Sequence, residues 1–274
     1  MFLLGAAAAA AAYVAYQARS PNARRWGCGF HRGPLDRQQL ALTFDDGPSD
    51  WTLGVLEALE RHRVPATFFF CGMNVERHPD LARLVHKKGH EMGNHTYSHP
   101  WLLPLSGSSI HAELARTQQI IEQTTGVLPQ LFRPPCGCRA PGLLEAERRL
   151  GLTEVLWTVI GNDWNASAAA ITSRVLQGAE PGGIVCLHDG DRVRPYPDRS
   201  RTVIALRELL AVLLDEGYSF VTAGAVLRGL RLSGSGADGG VAGLPRDAPG
   251  ASYHHQQLRA GVSWRNPPNN ATDE

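Results

Sequence analysis

The chain has 274 residues, of which 27 are basic and 26 acidic, and its formal net charge is +1. This overall balance gives no electrostatic footprint for nucleic acid or for an anionic membrane surface, so no nucleic-acid partner is expected. A hydrophobic content of 43% supports a sizeable core, and the length fits one large domain or two small ones.

The first predicted element is an apolar segment, "MFLLGAAAAAAAYVAY", which covers residues 1–16 and is followed by Arg19, Arg24 and Arg25. It is shorter than the roughly 20 apolar residues that span a bilayer, and no basic stretch precedes it. Three interpretations compete: a signal peptide or anchor that lacks its first residues because the start codon is misassigned, a short uncleaved anchor, and an ordinary alanine-rich helix. The first two predict membrane attachment through this segment and a cell-envelope location, anchored or exported. The third leaves a cytoplasmic location open.

From about residue 37 to residue 230, short β-type runs alternate with segments of helical spacing such as Leu53, Leu56 and Leu59. The runs are "LALTF" (40–44), "ATFFF" (66–70), "HEMGN" (90–94), "QLFR" (130–133), "EVLWTV" (154–159), "GIVCL" (183–187) and "YSFV" (218–221). The glycines at positions where helices should end are Gly89, Gly126, Gly151 and Gly217. Seven such units predict a parallel sheet, and a TIM-like (β/α)7 barrel is favoured over an open doubly wound sheet.

We therefore expect three parts: residues 1–34 as leader or anchor with a linker, residues 35–230 as a single α/β domain, and residues 231–274 as a tail. About a quarter of the tail is Gly or Pro, and it shows no apolar period, which predicts disorder. The paired His254 and His255 in it are interpreted as solvated residues and not as a metal site.

Five cysteines do not form a disulfide framework here, because their number is odd and the chain is long. Cys71 and Cys186 lie in apolar runs and are predicted to be small buried hydrophobic residues. Cys136 and Cys138 form a C-x-C spacing that is too short for a zinc knuckle without a second pair. Cys28 has no recognisable context.

Ionisable residues follow almost every predicted strand. They are Asp45 and Asp46 after the first, His95 and His99 after the third, Arg133 at the end of the fourth, Asp163 with Trp164 after the fifth, and His188 with Asp189 after the sixth. The carboxyl ends of parallel barrel strands meet at one face, where active sites lie. The stretch "LTFDDGPSD" therefore indicates a functional site and not only a turn. Because adjacent strand residues point to opposite faces, we expect different roles for its two carboxylates.

The "HTYSH" segment places His95 and His99 four residues apart, on one side of a helical turn or tight loop. One carboxylate added to this pair gives a His-His-Asp set with an open coordination position. Such a set suits catalytic Zn²⁺, or Co²⁺ or another divalent transition metal. The sequence therefore predicts a metal cofactor.

Five ordered motifs, "TFDDGP", "HTYSH", "RPPCG", "NDW" and "LHDG", resemble those of the polysaccharide deacetylases with a NodB homology domain, carbohydrate esterase family 4. The resemblance covers roughly residues 38–230 and includes "ATFFFCGMN" and "GHEMGNHTYSHP". It implies a distorted barrel of seven to eight β/α units. It also implies metal-dependent removal of N-acetyl or O-acetyl groups from a polysaccharide or oligosaccharide, such as peptidoglycan or a chitin-like N-acetylglucosamine polymer.

The resemblance further implies roles for individual residues. The implied metal ligands are Asp46, His95 and His99. The implied catalytic groups are Asp45 as base, Arg133 as its orienting partner, His188 as general acid and Asp163 as a supporting carboxylate. The implied substrate contacts are Pro135, the Cys136 backbone N–H at the oxyanion, and Trp164 with Leu187 at the acetyl pocket.

Two positions depart from the family pattern. Cys136 stands where an aromatic residue is usual, and we expect a structural role for its thiol and not metal ligation. Ile160 stands where a carboxylate is usual, three residues before Asp163, so we expect His188 to be less well supported unless Asp163 substitutes. Asp189 is open to interpretation as a helix cap. Ile160 keeps open the alternative of a catalytically weakened glycan-binding protein on the same fold. The resemblance keeps open a second alternative, a C–N hydrolase of a small non-glycan amide, since relatives on this fold do such chemistry.

Overall fold

In the computed structural model of the protein, which describes residues 2–192 and 194–232, the centre is a sheet of eight parallel strands. The strands are β1 (Gln39–Asp45), β2 (Thr67–Phe70), β3 (Glu91–Asn94), β4 (Leu131–Phe132), β5 (Thr153–Glu154), β6 (Val159–Ile160), β7 (Gly183–His188) and β8 (Ser219–Val221). Each strand pairs in parallel with its neighbours in the order β5-β4-β3-β2-β1-β7-β6, and β8 pairs with the first half of β1. The predicted TIM-like α/β architecture is confirmed in a distorted form.

Helices connect the strands. They are α1 (Phe2–Arg19), α2 (Trp51–His62), α3 (Gly72–Arg77), α4 (Pro79–Lys87), α5 (Gly107–Thr125), α6 (Leu143–Leu150), α7 (Ala168–Gly178), α8 (Ser200–Asp215) and α9 (Ala223–Leu232). Gly126 and Gly151 cap α5 and α6 with φ of +76° and +65°, and Gly89 and Gly217 follow α4 and α8 with φ of +80° and +84°. The predicted glycine stops are therefore confirmed, because glycine takes the left-handed conformation at low cost.

The prediction of a single strand over residues 154–159 is wrong. From Glu154 onward the backbone pairs with Phe30, although the Val155 N–H still donates to the Phe132 carbonyl of β4 (2.8 Å). The Phe30 N–H donates to the Glu154 carbonyl (3.1 Å), and the Leu156 N–H donates to the Phe30 carbonyl (2.8 Å). Pairing resumes at β6, on β7. The sheet therefore has eight strands where seven were expected, and residues 155–158 connect its two ends.

Alternation along the strands separates two apolar layers. Leu40, Leu42 and Phe44 point outward into the core formed with the helices, whereas Ala41 packs inside the curled sheet with Phe69 and other residues. Nearly every strand position is buried, as expected for a parallel sheet covered by helices. The inward set continues to the carboxyl ends of the strands, where polar side chains replace the apolar ones.

The segment between α1 and β1 packs against the domain. Ala23 and Phe30 are buried, and the Gly33 N–H donates to the Gly182 carbonyl (2.7 Å). Among the described residues, no helix is long and apolar enough to cross a membrane. The first two residues of the predicted tail complete α9, and the remainder of it, including His254 and His255, lies outside the described residues.

A buried ion pair joins Arg139, which follows the "RPPCG" motif, to Glu154 of β5, and backbone carbonyls at the end of α1 and just after it also accept from Arg139. Arg139 is fully buried, and its Nε donates to Glu154 Oε1 (2.7 Å) and Oε2 (2.9 Å). The Arg139 backbone N–H donates to the Ala18 carbonyl (2.9 Å), and its side chain donates to the Ser20 carbonyl (2.5 Å). Removing one partner of a buried pair is strongly destabilising, since the other charge is left unpaired.

We expect Arg139→Met to lower the free energy of unfolding by about 3–5 kcal/mol in urea denaturation, because it leaves Glu154 buried without a cation. The matched control is Arg149→Met, which removes an exposed pair with Glu145 (2.8 Å, side chains 67% and 58% exposed). That change should cost at most about 1 kcal/mol. Equal effects of the two substitutions would contradict the importance of the buried pair.

Candidate active site

Asp45 and Asp46 lie where β1 ends. Asp45 is the last strand residue, and Asp46 takes a left-handed backbone conformation with φ of +70°. The expectation that the two carboxylates point to opposite faces is wrong, because Asp46 is no longer in the strand. Both carboxylates approach the same nitrogen: His95 Nε2 is 4.0 Å from Asp45 Oδ2 and 3.4 Å from Asp46 Oδ1.

Asp46, His95 and His99 form a compact buried triad. Asp46 Oδ1 lies 3.4 Å from His95 Nε2 and 3.3 Å from His99 Nε2, and it has no hydrogen-bond partner. Two ligands about 2.0–2.1 Å from a tetrahedral ion are roughly 3.3–3.4 Å apart. An orphaned buried oxygen at this spacing from two imidazole nitrogens fits a divalent metal ion.

The loop that carries the two histidines is held by hydrogen bonds. Asn94 Oδ1 accepts from the Thr96 N–H (2.9 Å), and Thr96 Oγ1 accepts from the His99 N–H (3.1 Å). Glu113 of α5 accepts from the N–H groups of residues 97 and 98 (2.9 and 2.8 Å). The predicted "HTYSH" segment is therefore a tight loop and not a helical turn. Its spacing could not reveal the supporting role of Glu113.

The protonation of the triad suits metal binding. Burial, followed by the neighbouring His95, lowers the pKa of His99 to about 4, so its imidazole is neutral at pH 7. Burial opposes ionisation of Asp46, but the neighbouring His95 and His99 hold its pKa below the ordinary value. His95 Nδ1 donates to the Arg133 carbonyl (2.7 Å), which leaves Nε2 free as a ligand atom.

Arg133 contacts Asp45, as predicted. This fully buried guanidinium donates through one Nη to Asp45 Oδ1 (2.7 Å) and to Thr43 Oγ1 (2.7 Å). Its Nε donates to the Val155 carbonyl (3.1 Å), and it stacks 4.2 Å from the centre of the Phe69 ring. These contacts place a fixed positive charge beside Asp45.

His188 pairs with Asp163, so the expected substitution of Asp163 for the carboxylate missing at Ile160 is confirmed. Asp163 Oδ1 lies 2.7 Å from His188 Nδ1, and Asp163 Oδ2 accepts from the His188 N–H (2.8 Å) and from Thr202 Oγ1 (2.8 Å). Burial alone would lower the pKa of His188, but the carboxylate of Asp163 raises it to about 9. Trp164 packs edge-on against His188 with ring centres 5.2 Å apart, and it is 49% exposed.

The remaining predicted residues are the proposed substrate contacts. Pro135 and Cys136 belong to a short 3₁₀ turn that follows β4, and Cys136 is exposed with φ of +56°. Within the described ranges, Cys136 belongs to no cluster of metal-ligating groups. Leu187 is not brought to the site: it lies on the face of β7 opposite His188 and packs in the outer core.

Asp189 is not a helix cap. It is fully buried, its Oδ2 accepts from Thr52 Oγ1 (2.5 Å), and its N–H donates to the Asp45 carbonyl (3.2 Å). A Cβ at Gly47 would lie 2.4 Å from both Asp189 carboxylate oxygens. Asp189 therefore supports the turn after β1, and glycine is required at position 47.

A family model described as polysaccharide deacetylase matches residues 32–155. A peptidoglycan-N-acetylglucosamine deacetylase of Bacillus cereus is 37% identical over 199 residues, which is 71% of this chain and 91% of that protein. A chitooligosaccharide deacetylase of Bradyrhizobium is 38% identical over 190 residues, 66% of this chain and 87% of that protein. The peptidoglycan-N-acetylglucosamine deacetylase PgdA of Listeria monocytogenes is 37% identical over 187 residues, 68% of this chain but only 38% of that protein.

Solved structures show the same fold. The Bc1960 peptidoglycan N-acetylglucosamine deacetylase has a TM-score of 0.68 and 33% identity, covering 72% of this chain and 91% of that chain. BA3943 of Bacillus anthracis, described as a family pseudoenzyme, has a TM-score of 0.67 and 27% identity, covering 73% and 68%. Both an enzyme and a pseudoenzyme have this fold, so the fold alone does not establish activity.

The pairing of His188 with Asp163 should control the pKa of His188. In Asp163→Asn, we expect the pKa of His188, followed by NMR of the imidazole protons, to fall by about 1–3 units from its raised value, because the anionic partner is lost. The imidazole should therefore lose its proton at lower pH. Thr202→Val, which removes a neutral donor to the same carboxylate, is the control and should shift the pKa much less. An unchanged pKa in Asp163→Asn would contradict the assigned partner.

Proposed function

Because the chain belongs to the polysaccharide deacetylase family, we propose that it is a metal-dependent hydrolase that removes N-acetyl, or O-acetyl, groups from an envelope or chitin-like glycan. One observation carries the proposal: Asp45 and His188 flank the Asp46, His95 and His99 triad, and each has its own buried partner. The ligand atoms of Asp45 and His188 lie in one cluster within 4.8 Å, and Asp45 Oδ2 lies 4.0 Å from His95 Nε2.

The triad would hold the metal ion, and its two nitrogen donors and one carboxylate oxygen favour Zn²⁺, with Co²⁺ as a functional substitute. When bound, such an ion makes water nucleophilic and polarises a carbonyl group. The Arg133 carbonyl fixes the His95 ring, and the Thr96 hydroxyl fixes the backbone of His99, so the ligand atoms need little rearrangement.

Asp45 acts as the base that takes a proton from the attacking water. Its Oδ1 is held by Arg133, which leaves Oδ2 as the oxygen nearest the triad. His188 acts as the acid for the departing amine, because its pKa of about 9 keeps it protonated near neutral pH. Asp163 holds Nδ1 of His188, so Nε2 is the nitrogen that delivers the proton.

Exposed aromatic side chains support a glycan substrate. Trp101 follows the histidine loop and is 54% exposed, and Trp164 beside His188 is 49% exposed. Such residues offer flat apolar faces to sugar rings. The relatives named above act on peptidoglycan or chitooligosaccharides by their names, which favours a glycan over a small amide. The presence of both the base and the acid argues against a purely glycan-binding protein.

We expect Asp45→Asn to lower acetate release from acetylated chitooligosaccharides by about 10²–10⁴-fold while zinc stays bound, because a base is lost and a ligand is not. His99→Ala should instead weaken zinc binding, measured by competition with a chelator. Asp50→Asn, an exposed carboxylate nearby in the chain, is the control and should change neither property. Loss of zinc from Asp45→Asn would show that the two aspartates are assigned in reverse.

We further propose that α1 attaches the protein to a membrane in the cell envelope. Residues 5–16 of α1 are exposed on all sides although they are almost entirely apolar, and Tyr13 and Tyr16 are about half exposed (49% and 51%). Exposed Arg19, Arg24 and Arg25 follow. Apolar residues followed by tyrosine and arginine match the polarity gradient of a membrane interface with anionic lipids.

Replacing Arg19, Arg24 and Arg25 together by Gln should weaken binding to vesicles of phosphatidylglycerol and phosphatidylcholine by about 1 kcal/mol per residue in a sedimentation assay. The control replaces three exposed arginines elsewhere in the domain, Arg83, Arg174 and Arg207, and has the same net charge. The control should bind like the wild type. Equal losses in both triple variants, or no binding of the wild type, would refute the attachment.

A further inference from the structure

The Cys186 thiol is a buried nucleophilic group of the site that has no role in the proposed chemistry. Cys186 is fully buried in β7 and lies opposite Thr43 of β1, while His188, two residues further, lies opposite Asp45. Positions two apart on a strand point to the same face, so the thiol shares the inner face of the sheet with His188. Cys186 Sγ donates to Asp45 Oδ2 at 3.4 Å.

The two oxygens of Asp45 therefore have different partners. Oδ1 accepts from Arg133 (2.7 Å), and Oδ2 accepts from the Cys186 thiol (3.4 Å). Oδ2 is also the oxygen that approaches His95 Nε2 (4.0 Å). A carboxylate oxygen this close to a site for a divalent ion is itself a suitable ligand, so a base at this position needs a restraint.

We propose that Cys186 is a positioning residue that restrains Asp45 Oδ2, so that Asp45 remains a base and does not become a fourth protein ligand of the metal. This inference rests on the proposed function. The thiol is weak enough as a donor to let Oδ2 accept a proton from water, yet it fixes the rotation of the carboxylate together with Arg133. Burial raises the pKa of the Cys186 thiol well above its ordinary value, which keeps the donor hydrogen in place.

A competing assignment is a second cation site. Asp45, Cys186 and His188 offer ligand atoms within 4.8 Å of one another. However, the guanidinium of Arg133 lies 2.7 Å from Asp45 Oδ1 and would repel a cation there. A thiol that holds its proton is also a poor ligand, because metals bind the thiolate. The structure therefore favours the thiol as a donor.

The test compares Cys186→Ser, which keeps a hydrogen donor, with Cys186→Ala, which removes it, in the full chain loaded with Co²⁺. We expect Cys186→Ala to lower kcat for acetate release by about tenfold with little change in KM, as for loss of a hydrogen bond to a charged group. Its visible Co²⁺ absorption should differ from that of the wild type, because Oδ2 joins the coordination sphere. Cys186→Ser should retain the wild-type spectrum and most of the kcat. Cys28→Ser, outside the site, is the control.

Two outcomes would overturn the proposal. Identical Co²⁺ spectra for wild type, Cys186→Ser and Cys186→Ala would show that the thiol does not restrain Oδ2. A second bound equivalent of Co²⁺ that disappears in both variants would make Cys186 a ligand. The spectra do not depend on turnover, so a wild type that binds Co²⁺ but releases no acetate would refute the proposed function alone.

Discussion

The buried Arg133 guanidinium is the interaction on which the rest of the site depends. It bonds to Thr43 and Asp45 of β1 and to the carbonyls of Val155 and Leu156, in the connection that joins the two ends of the sheet. A cation with no exposure is tolerated only when its donors are satisfied, so the sheet must curl until these acceptors meet. The same contacts that satisfy the arginine orient Asp45. The contacts that hold the curled sheet together therefore also place Asp45, the proposed base.

The site contains a second buried ion pair, in which the roles of the two charges are exchanged. In the first pair, the buried cation Arg133 holds the carboxylate of Asp45. In the second, the buried carboxylate of Asp163 holds His188. The triad of Asp46, His95 and His99 brings its ligand atoms within 4.8 Å of one another, and Asp46 Oδ1 has no hydrogen-bond partner. This division explains why two adjacent aspartates can differ in chemistry. Each oxygen of Asp45 accepts from a protein donor, whereas Asp46 Oδ1 has no partner. Only the unpaired oxygen is free for a metal ion.

Much of the fold and the composition of the site could be predicted from the sequence, because strand ends and helix stops depend on local patterns. The left-handed conformation of Asp46 could not, since the "DDGP" turn pattern does not show which of the two aspartates leaves the strand. The division of residues 154–159 into two strands depends on Phe30, more than a hundred positions away. The sequence names Asp163 as a possible partner of His188 in place of Ile160, but spacing alone does not show that the two side chains meet. In the fold, residues 161–163 turn and bring Asp163 to the histidine.

We propose that Asp46, His95 and His99 bind the metal ion while Asp45 stays outside its coordination sphere. Anomalous diffraction at the zinc edge, from crystals of the zinc-loaded protein, would locate the ion. We expect a single strong peak within about 2.0–2.2 Å of Asp46 Oδ1, His95 Nε2 and His99 Nε2, with Asp45 held by Arg133. A peak between Asp45, Cys186 and His188, or direct ligation by Asp45, would contradict it.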